Sequence, residues 1–311
     1  MKKMVFALIV ILVFGAILLK DPIIKSAVTI TASHVVGAPV HINSFSFGIL
    51  KHAIRISGLK IYNPKDFPKG VLLDLPKVHV DYNLGNILKK KIHLTKVDVV
   101  LKDVVLVKNS KGELNVDSLK FVKQGKKTED EKKAAQKFHI DLLTLDIGRI
   151  VYKDLTGEKP AIDVYQVGLK KSYKNISSPQ QMATLILAES MKHTAIKGAA
   201  IYGLSSLAGV AFLPAGVAVM LAGSGAEQAD FPQSLRVVYN ASKKAISELG
   251  ELVKESPETG VLQAKIKGCD VTVEIFAFGD SVRVKVTAKR FLMPRHETAG
   301  GLLYLISQKL Q

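Results

Sequence analysis

The chain has 311 residues, 48% of them hydrophobic, so it is not a disordered protein and is long enough for about two domains. Lys and Arg outnumber Asp and Glu by 44 to 27, a formal net charge of +17, which fits either an ordinary basic, solvated surface or attraction to an anionic partner, lipid headgroups or nucleic acid. No zinc spacing, helix-turn-helix pattern or aromatic-basic RNA signature is present, and the hydrophobic amino terminus favours lipid. The single cysteine, Cys269, excludes an intrachain disulfide and a cysteine-based metal site.

The chain opens with MKKMVFALIVILVFGAILLK, two lysines followed by an uncharged run from Met4 to Leu19. As a helix that run is about 24 Å long, and Lys20 can snorkel to complete one crossing of a hydrocarbon core of about 30 Å. A cleaved signal peptide is the competing reading, but no small-x-small site follows Leu19 directly. An uncleaved anchor is therefore expected, with Lys2 and Lys3 on the cytoplasmic side and the bulk of the chain in the periplasm. Residues 22–36 continue as a helix or connector.

From about residue 40 the pattern becomes that of half-buried strands. Phe45, Phe47 and Ile49 alternate with polar or small residues, and so do Ile54 and Ile56. Gly58 then resets the phase to Leu59 and Ile61. The cleanest segment is PKVHVDYNL, with Val78, Val80, Tyr82 and Leu84 on one face and Lys77, His79, Asp81 and Asn83 on the other. In KIHLTKVDVVLKDVVLVK the apolar parity passes from Ile92 and Leu94 to Val97, Val99 and Leu101, then Val105 and Val107. Such a slip marks a bulge or tight turn. NSKGELN is a turn signal, 122–137 reads as a solvated loop or an exposed helical insertion, and 138–155 and 160–170 are further strands. A run of strands with one apolar face and no evident covering helix needs something to cover it: itself, another chain or an apolar ligand.

These segments carry a resemblance. After the uncharged amino-terminal run come G-x-P-V-x-I at Gly37–Ile42, ISGLKIYNPKDFPKG, D-Y-N-L, K-I-x-L-x-K-V-x-V-x-L and N-x-K-G-E-L-N, in that order. This ordered set resembles the amino-terminal region of AsmA-like proteins over about residues 1–120, and more loosely to about 170. The resemblance implies a protein of the inner (cytoplasmic) membrane with a curved, groove-forming sheet in the periplasm, acting in phospholipid transport and outer-membrane homeostasis or assembly. It also implies that acyl chains lie on the apolar face. The candidate lining residues are Val78, Val80, Tyr82, Val97, Val99, Leu101, Val105 and Val107.

Residues 177–195 read as a helix capped by Ser177 or Ser178, with Pro179 in its first turn. The stretch 198–226 has no charge and is long enough to cross a membrane. It fits one helix kinked at Pro214 or a helical hairpin turning there. Lysines before it and acids after it oppose a return to the cytoplasm, which favours a hairpin, re-entrant or groove-plugging element. After Pro232 an amphipathic helix carries Leu235, Val238, Ala241, Ala245, Ile246 and Leu249 at helical spacing, and runs through SLRVVYNASKKAISELGELVKES. Three alternating strands follow, with turns at 268–270 and 279–280, then a closing helix from about Pro294 with a Gly300–Gly301 pair for close packing. Residues 232–311, through KGCDVTVEI and AGGLLYLISQKL, resemble a small family of bacterial envelope proteins, often lipoproteins, of unknown function. The outward lysines and arginines of these strands, Lys265, Lys267, Arg283, Lys285 and Lys289, are candidates for contact with anionic headgroups, or form an ordinary solvated face.

The residues assemble no familiar catalytic set. H-E-x-x-H, Cys-x-x-Cys, a phosphate-binding glycine loop and G-x-S-x-G are all absent. His79–Asp81 and His139–Asp141 could each pair across two strand positions, but read more simply as a wet strand face. The expectation is a non-enzyme without cofactor or metal, whose partners are phospholipid, the membrane and an envelope protein. The expected architecture is α+β: a membrane anchor and connector (1–36), a curved antiparallel sheet (37–172), a helix with an apolar hairpin or second membrane segment (177–229) and a small α-β-β-β-α domain (230–311).

Overall fold

The computed structural model describes residues 21–48, 51–89, 91–120, 138–192, 194 and 226–311. The expected anchor at 4–19, the charged segment 122–137 and nearly all of 198–226 lie outside the described residues. Among the described residues no helix is long and apolar enough to cross a membrane.

The fold is α+β with two sheets. Helix α1 (21–36) leads into β1 (Val40–Gly48), β2 (Ala53–Tyr62) and β3 (Val71–Tyr82). A short α2 (Leu84–Leu88) connects to β4 (Ile92–Lys108), and β5 (Phe138–Asp154) and β6 (Ala161–Ile176) complete a six-stranded sheet in the order β1-β2-β3-β4-β5-β6. The sheet is mixed, not antiparallel throughout as expected: β4 and β5 run parallel. Both have 17 residues, and 29 residues, 109–137, separate them in sequence, with a 3-10 turn at Asn115–Ser118. A parallel pair needs a crossover of about a dozen residues or more, which a segment of that length supplies.

The phase slips of the sequence become structural breaks. Asp81 pairs with Lys96 and Tyr82 with Leu94, so Thr95 is the extra residue of a bulge, and Leu94 and Val97 both face the same core. A second line of breaks crosses the middle of the sheet. Gly58 has φ +61°, Pro76 interrupts β3, and Gly168 has φ +53° beside a register shift between Ile147 and Arg149. Across this line the buried parity changes from Val78 to Leu75 and Leu73, from Val97, Val99 and Leu101 to Val104 and Leu106, and from Leu143, Leu145 and Ile147 to Ile150. One phase change per strand sends the next alternate residues to the opposite face. Val105 and Val107 therefore do not share a wall with Val97–Leu101; they join a second core.

That second core belongs largely to the carboxy-terminal lobe. There β7 (Ala226–Phe231), α4 (Leu235–Leu249), β8 (Gly250–Ser256), β9 (Val261–Ile266), β10 (Cys269–Phe278), β11 (Ser281–Arg290), the two-residue β12 (Met293–Pro294) and α5 (His296–Lys309) form a sheet in the order β12-β11-β10-β9-β8, with β7 also on β11. The expected α-β-β-β-α core is present with three extra strands. The expected long helix stops at Leu249 because Gly250 starts a strand against β9, where a Cβ would lie 2.1 Å from the Lys265 carbonyl oxygen. The predicted helix face is buried except for Leu235.

The closing helix joins the lobes. A Cβ on Gly301 would come within 1.9 Å of the Ile162 carbonyl oxygen on β6, and one on Gly300 within 3.2 Å of Val164 Cβ. Ala299, Leu302 and Ile306 share one core with Val105, Val107, Val151, Ile162 and Val164 of the first sheet. The Gly pair packs tightly as expected, but on the first lobe's edge strand.

Candidate functional site

Val78, Val97, Val99 and Leu101 stand on one apolar wall with Leu143, Leu145 and Ile147. Val80 packs half-buried at its rim. Tyr82 is buried, stacked on Phe47 at 5.4 Å between ring centres, and its hydroxyl donates to the Gly48 carbonyl at 3.2 Å. The wall is not open. Helix α3 (Pro179–Lys192) lies on β5 and β6 with Leu185, Leu187 and Met191, and Val36 and Leu119 also pack into this core.

The cover is chemically unlike the wall. Seven consecutive residues of α3, Leu185 to Met191, are buried, and they include Glu189 and Ser190. Glu189 lies 3.4 Å from the Lys171 ammonium of β6, while Ser190 donates to the Ile186 carbonyl. Burial and the Glu189 carboxylate push the Tyr173 hydroxyl well above the usual tyrosine range. Thr184 is fully buried, and its hydroxyl has no hydrogen-bond partner.

Behind the Val97–Leu101 stretch the opposite face of the first sheet is polar. Arg55, Lys77, His79, Lys96, Asp98, Asp146 and Lys170 line a shallow cleft of about 580 Å³ on it. A larger cleft of about 1060 Å³ lies between this sheet and α5, lined by Lys60, Lys69, Lys102, Lys153, Arg149 and Tyr304, among others. Asp103 holds Arg149 through two hydrogen bonds, of 2.5 and 3.2 Å. Arg149 and Lys153 both sit over the Tyr304 ring, 5.4 and 5.2 Å from its centre. Burial pulls the Lys153 ammonium below its ordinary value and pushes the Tyr304 hydroxyl up.

Four of the five headgroup candidates are in ion pairs. Lys265 meets Asp270 at 2.5 Å, Lys267 meets Asp163 of the first lobe at 2.6 Å, Arg283 meets Asp230 at 2.6 Å and Lys285 meets Glu274 at 3.0 Å. Lys289 is exposed next to a feature that strand periodicity did not reveal. Phe291 and Leu292 form the turn between β11 and β12 and are 87% and 93% exposed, with Phe291 at φ +57°. Turns of this kind normally use Asn or Gly, since a bulky residue at positive φ is strained. Met293 is also exposed, and Lys289 and Arg290 flank the tip.

The two histidine–aspartate pairs differ in their surroundings. His79 and Asp81 hold each other at 3.0 Å on β3. His139 and Asp141 are joined by a third group, because the parallel register sets His93 of β4 beside His139 of β5. Nε2 of His93 lies 2.9 Å from both carboxylate oxygens of Asp141, and Nε2 of His139 lies 3.0 Å from Oδ1. The imidazole centres are 5.6 Å apart, and all three ligand atoms fall within 4.8 Å of one another. Nδ1 of His93 faces the Asn86 amide at 2.7 Å. The i,i+2 pair was readable in the sequence; His93 is 46 positions upstream of its neighbour and nothing local marks it. Comparison with models of known protein families, with curated proteins and with solved structures found no match to this chain.

Proposed function

We propose that this is a non-enzymatic, membrane-anchored envelope protein of the AsmA-like kind, which holds phospholipid acyl chains against the apolar wall of its first sheet and acts in lipid transport or outer-membrane homeostasis. The observation that carries this reading is the cover. The wall is aliphatic over three adjacent strands, yet α3 closes it while burying a carboxylate and an unpartnered hydroxyl. An unsatisfied buried hydroxyl costs about 1–3 kcal/mol, so α3 is held less firmly than an apolar helix would be. Displacement of α3 exposes a surface that an acyl chain fills without desolvation cost to either side. The uncharged stretch 198–226 lies only five residues beyond α3 in sequence, which couples the cover to the most apolar part of the chain that follows it.

The tip at Phe291–Met293 supports a second membrane contact. Exposed aromatic and aliphatic side chains beside Lys289 and Arg290 suit insertion at an anionic lipid surface.

Native mass spectrometry of the full chain, extracted in mild detergent, tests the reading. Phospholipid bound above the level on a control membrane protein is expected. Thr184→Val, which replaces the orphan hydroxyl by a methyl of the same shape, should tighten the cover and lower lipid occupancy and exchange. Val80→Glu, at the half-buried rim, should also reduce occupancy. No lipid above control would overturn the proposal. Retained lipid with loss of a co-purifying protein in Val80→Glu would favour instead an assembly factor whose sheet docks a partner.

A further inference from the structure

We infer that His93, His139 and Asp141 form a binding site for a divalent first-row transition metal ion, with Zn²⁺ as the natural probe. Two imidazole Nε2 atoms aim at one carboxylate from adjacent strands, at 2.9 and 3.0 Å. In a tetrahedral site with Zn–N of about 2.0–2.1 Å, neighbouring ligand atoms are about 3.3 Å apart, so the three side chains need only modest adjustments to admit an ion. Two nitrogens and one oxygen suit zinc, copper, nickel or iron and not magnesium or calcium, which prefer all-oxygen sets.

The strand arrangement makes the convergence specific. In a parallel pair with His93 opposite His139, both rings project from one face at the same level. Asp141, two residues on, returns to that face. Without an ion the His93 imidazole gives an Nε2 hydrogen bond to the carboxylate, and Nε2 of His139 lies 3.0 Å from its Oδ1. With one, Nε2 becomes the ligand and the ring proton must reside on Nδ1. Asn86 suits both states. Its Nδ2 now lies against Nδ1 of His93, and a half-turn of the amide presents Oδ1 to accept an Nδ1 proton. Three protein ligands leave at least one coordination position for water or an anionic ligand. The ion would tie β4 to β5 at the amino-terminal ends of both strands.

The test uses the full chain in detergent, without a polyhistidine tag, stripped with EDTA and titrated with Zn²⁺ against a chromophoric chelator. One tightly held Zn²⁺ per chain is expected, as is a Co²⁺ derivative with visible d–d absorption. His93→Ala and His139→Ala should each weaken Zn²⁺ binding by about 100-fold or more, and Asn86→Ala by about 10-fold through lost ring orientation. His79→Ala, at the pair lacking a third partner, should leave the affinity unchanged. Should an alanine variant fail to fold by circular dichroism, His93→Gln and Asp141→Asn provide the same readout. Absence of stoichiometric uptake by the unmutated chain, or uptake that survives His93→Ala combined with His139→Ala, would overturn the assignment.

Discussion

The two sheets bury their apolar faces in contrasting ways. In the central strands of the carboxy-terminal lobe the alternation is unbroken: Val271, Val273 and Ile275 on β10, and Val282, Val284, Val286 and Ala288 on β11, all enter one core. Their cover is the amphipathic helix α4, where Ser242 donates to the Val238 carbonyl, although the buried Tyr239 hydroxyl of the same helix has no partner. In the first sheet the pairing register shifts at three places, and α3 buries the Glu189 carboxylate together with a hydroxyl that has no partner. Strict period-two strands under amphipathic helices make a lobe that is hard to open. Long interrupted strands under a helix that buries a carboxylate and an orphan hydroxyl make one whose cover is held less firmly than an apolar helix would be.

Four changes break or sharpen that contrast. The largest effect is expected at the junction. Gly301→Val drives a side chain into the Ile162 backbone and should destabilise the protein by about 3 kcal/mol or more. Because α5 serves both lobes, far-ultraviolet circular dichroism and tyrosine fluorescence should report one coincident loss of structure. Separate transitions would show that the lobes stand independently.

Next is Asp103→Ala, which leaves Arg149 half-buried over Tyr304 without its hydrogen-bonded carboxylate. A loss of about 2–3 kcal/mol in denaturant melts is expected, since removing one partner costs more than the pair is worth. Double substitution of Asp103 and Arg149 by apolar residues should recover much of it.

The alkaline limb should be smaller but directional. Burial pushes the Tyr152 hydroxyl up to about 12 from its ordinary 10.0, with Tyr165 and Tyr304 also raised. Above pH 10 the unfolded chain releases these protons while the folded chain keeps them. The stabilisation is therefore complete below about pH 10 and is lost as pH rises through 12. Lys153, with its lowered value, opposes this slightly just below 10.5. Melts between pH 9 and 11.5 should fall more steeply than those of Tyr152→Phe.

The smallest effect on stability belongs to the tip. Phe291→Ser with Leu292→Ser should change stability by less than about 0.5 kcal/mol, because both side chains are already in water. Co-sedimentation with anionic vesicles should nevertheless drop several-fold. Unchanged sedimentation would remove the second lobe from the membrane-contact proposal.

Legibility followed the range of the interaction. The bulge at Thr95, the reset at Gly58 and the helix face from Val238 to Leu249 were visible because each depends on a few consecutive residues. The sense of the β4–β5 pairing was hidden in a crossover whose composition suggests only solvent exposure. The histidine cluster was hidden for the same reason, because it exists only once that register is known. The separation of Val105 and Val107 from Val97–Leu101 escaped notice because their parity is the same in the sequence, and the break at Lys102–Asp103 carries no glycine or proline to announce it. The helical cover was recognised as a helix, but its partner face was not, since its buried residues surround the helix and show no polar side.

Helix α1 has a consequence for how this protein could assemble. It spends side chains on the unpaired rim of β1: Asp21 accepts from the Phe47 amide, Lys25 donates to the Asn43 carbonyl and Ser33 accepts from the Val40 amide. Those contacts occupy backbone groups that an incoming strand would need. Stacking of copies edge to edge, the simplest way to lengthen such a sheet, is thereby discouraged on this side, and any longer conduit would have to be built from a different surface.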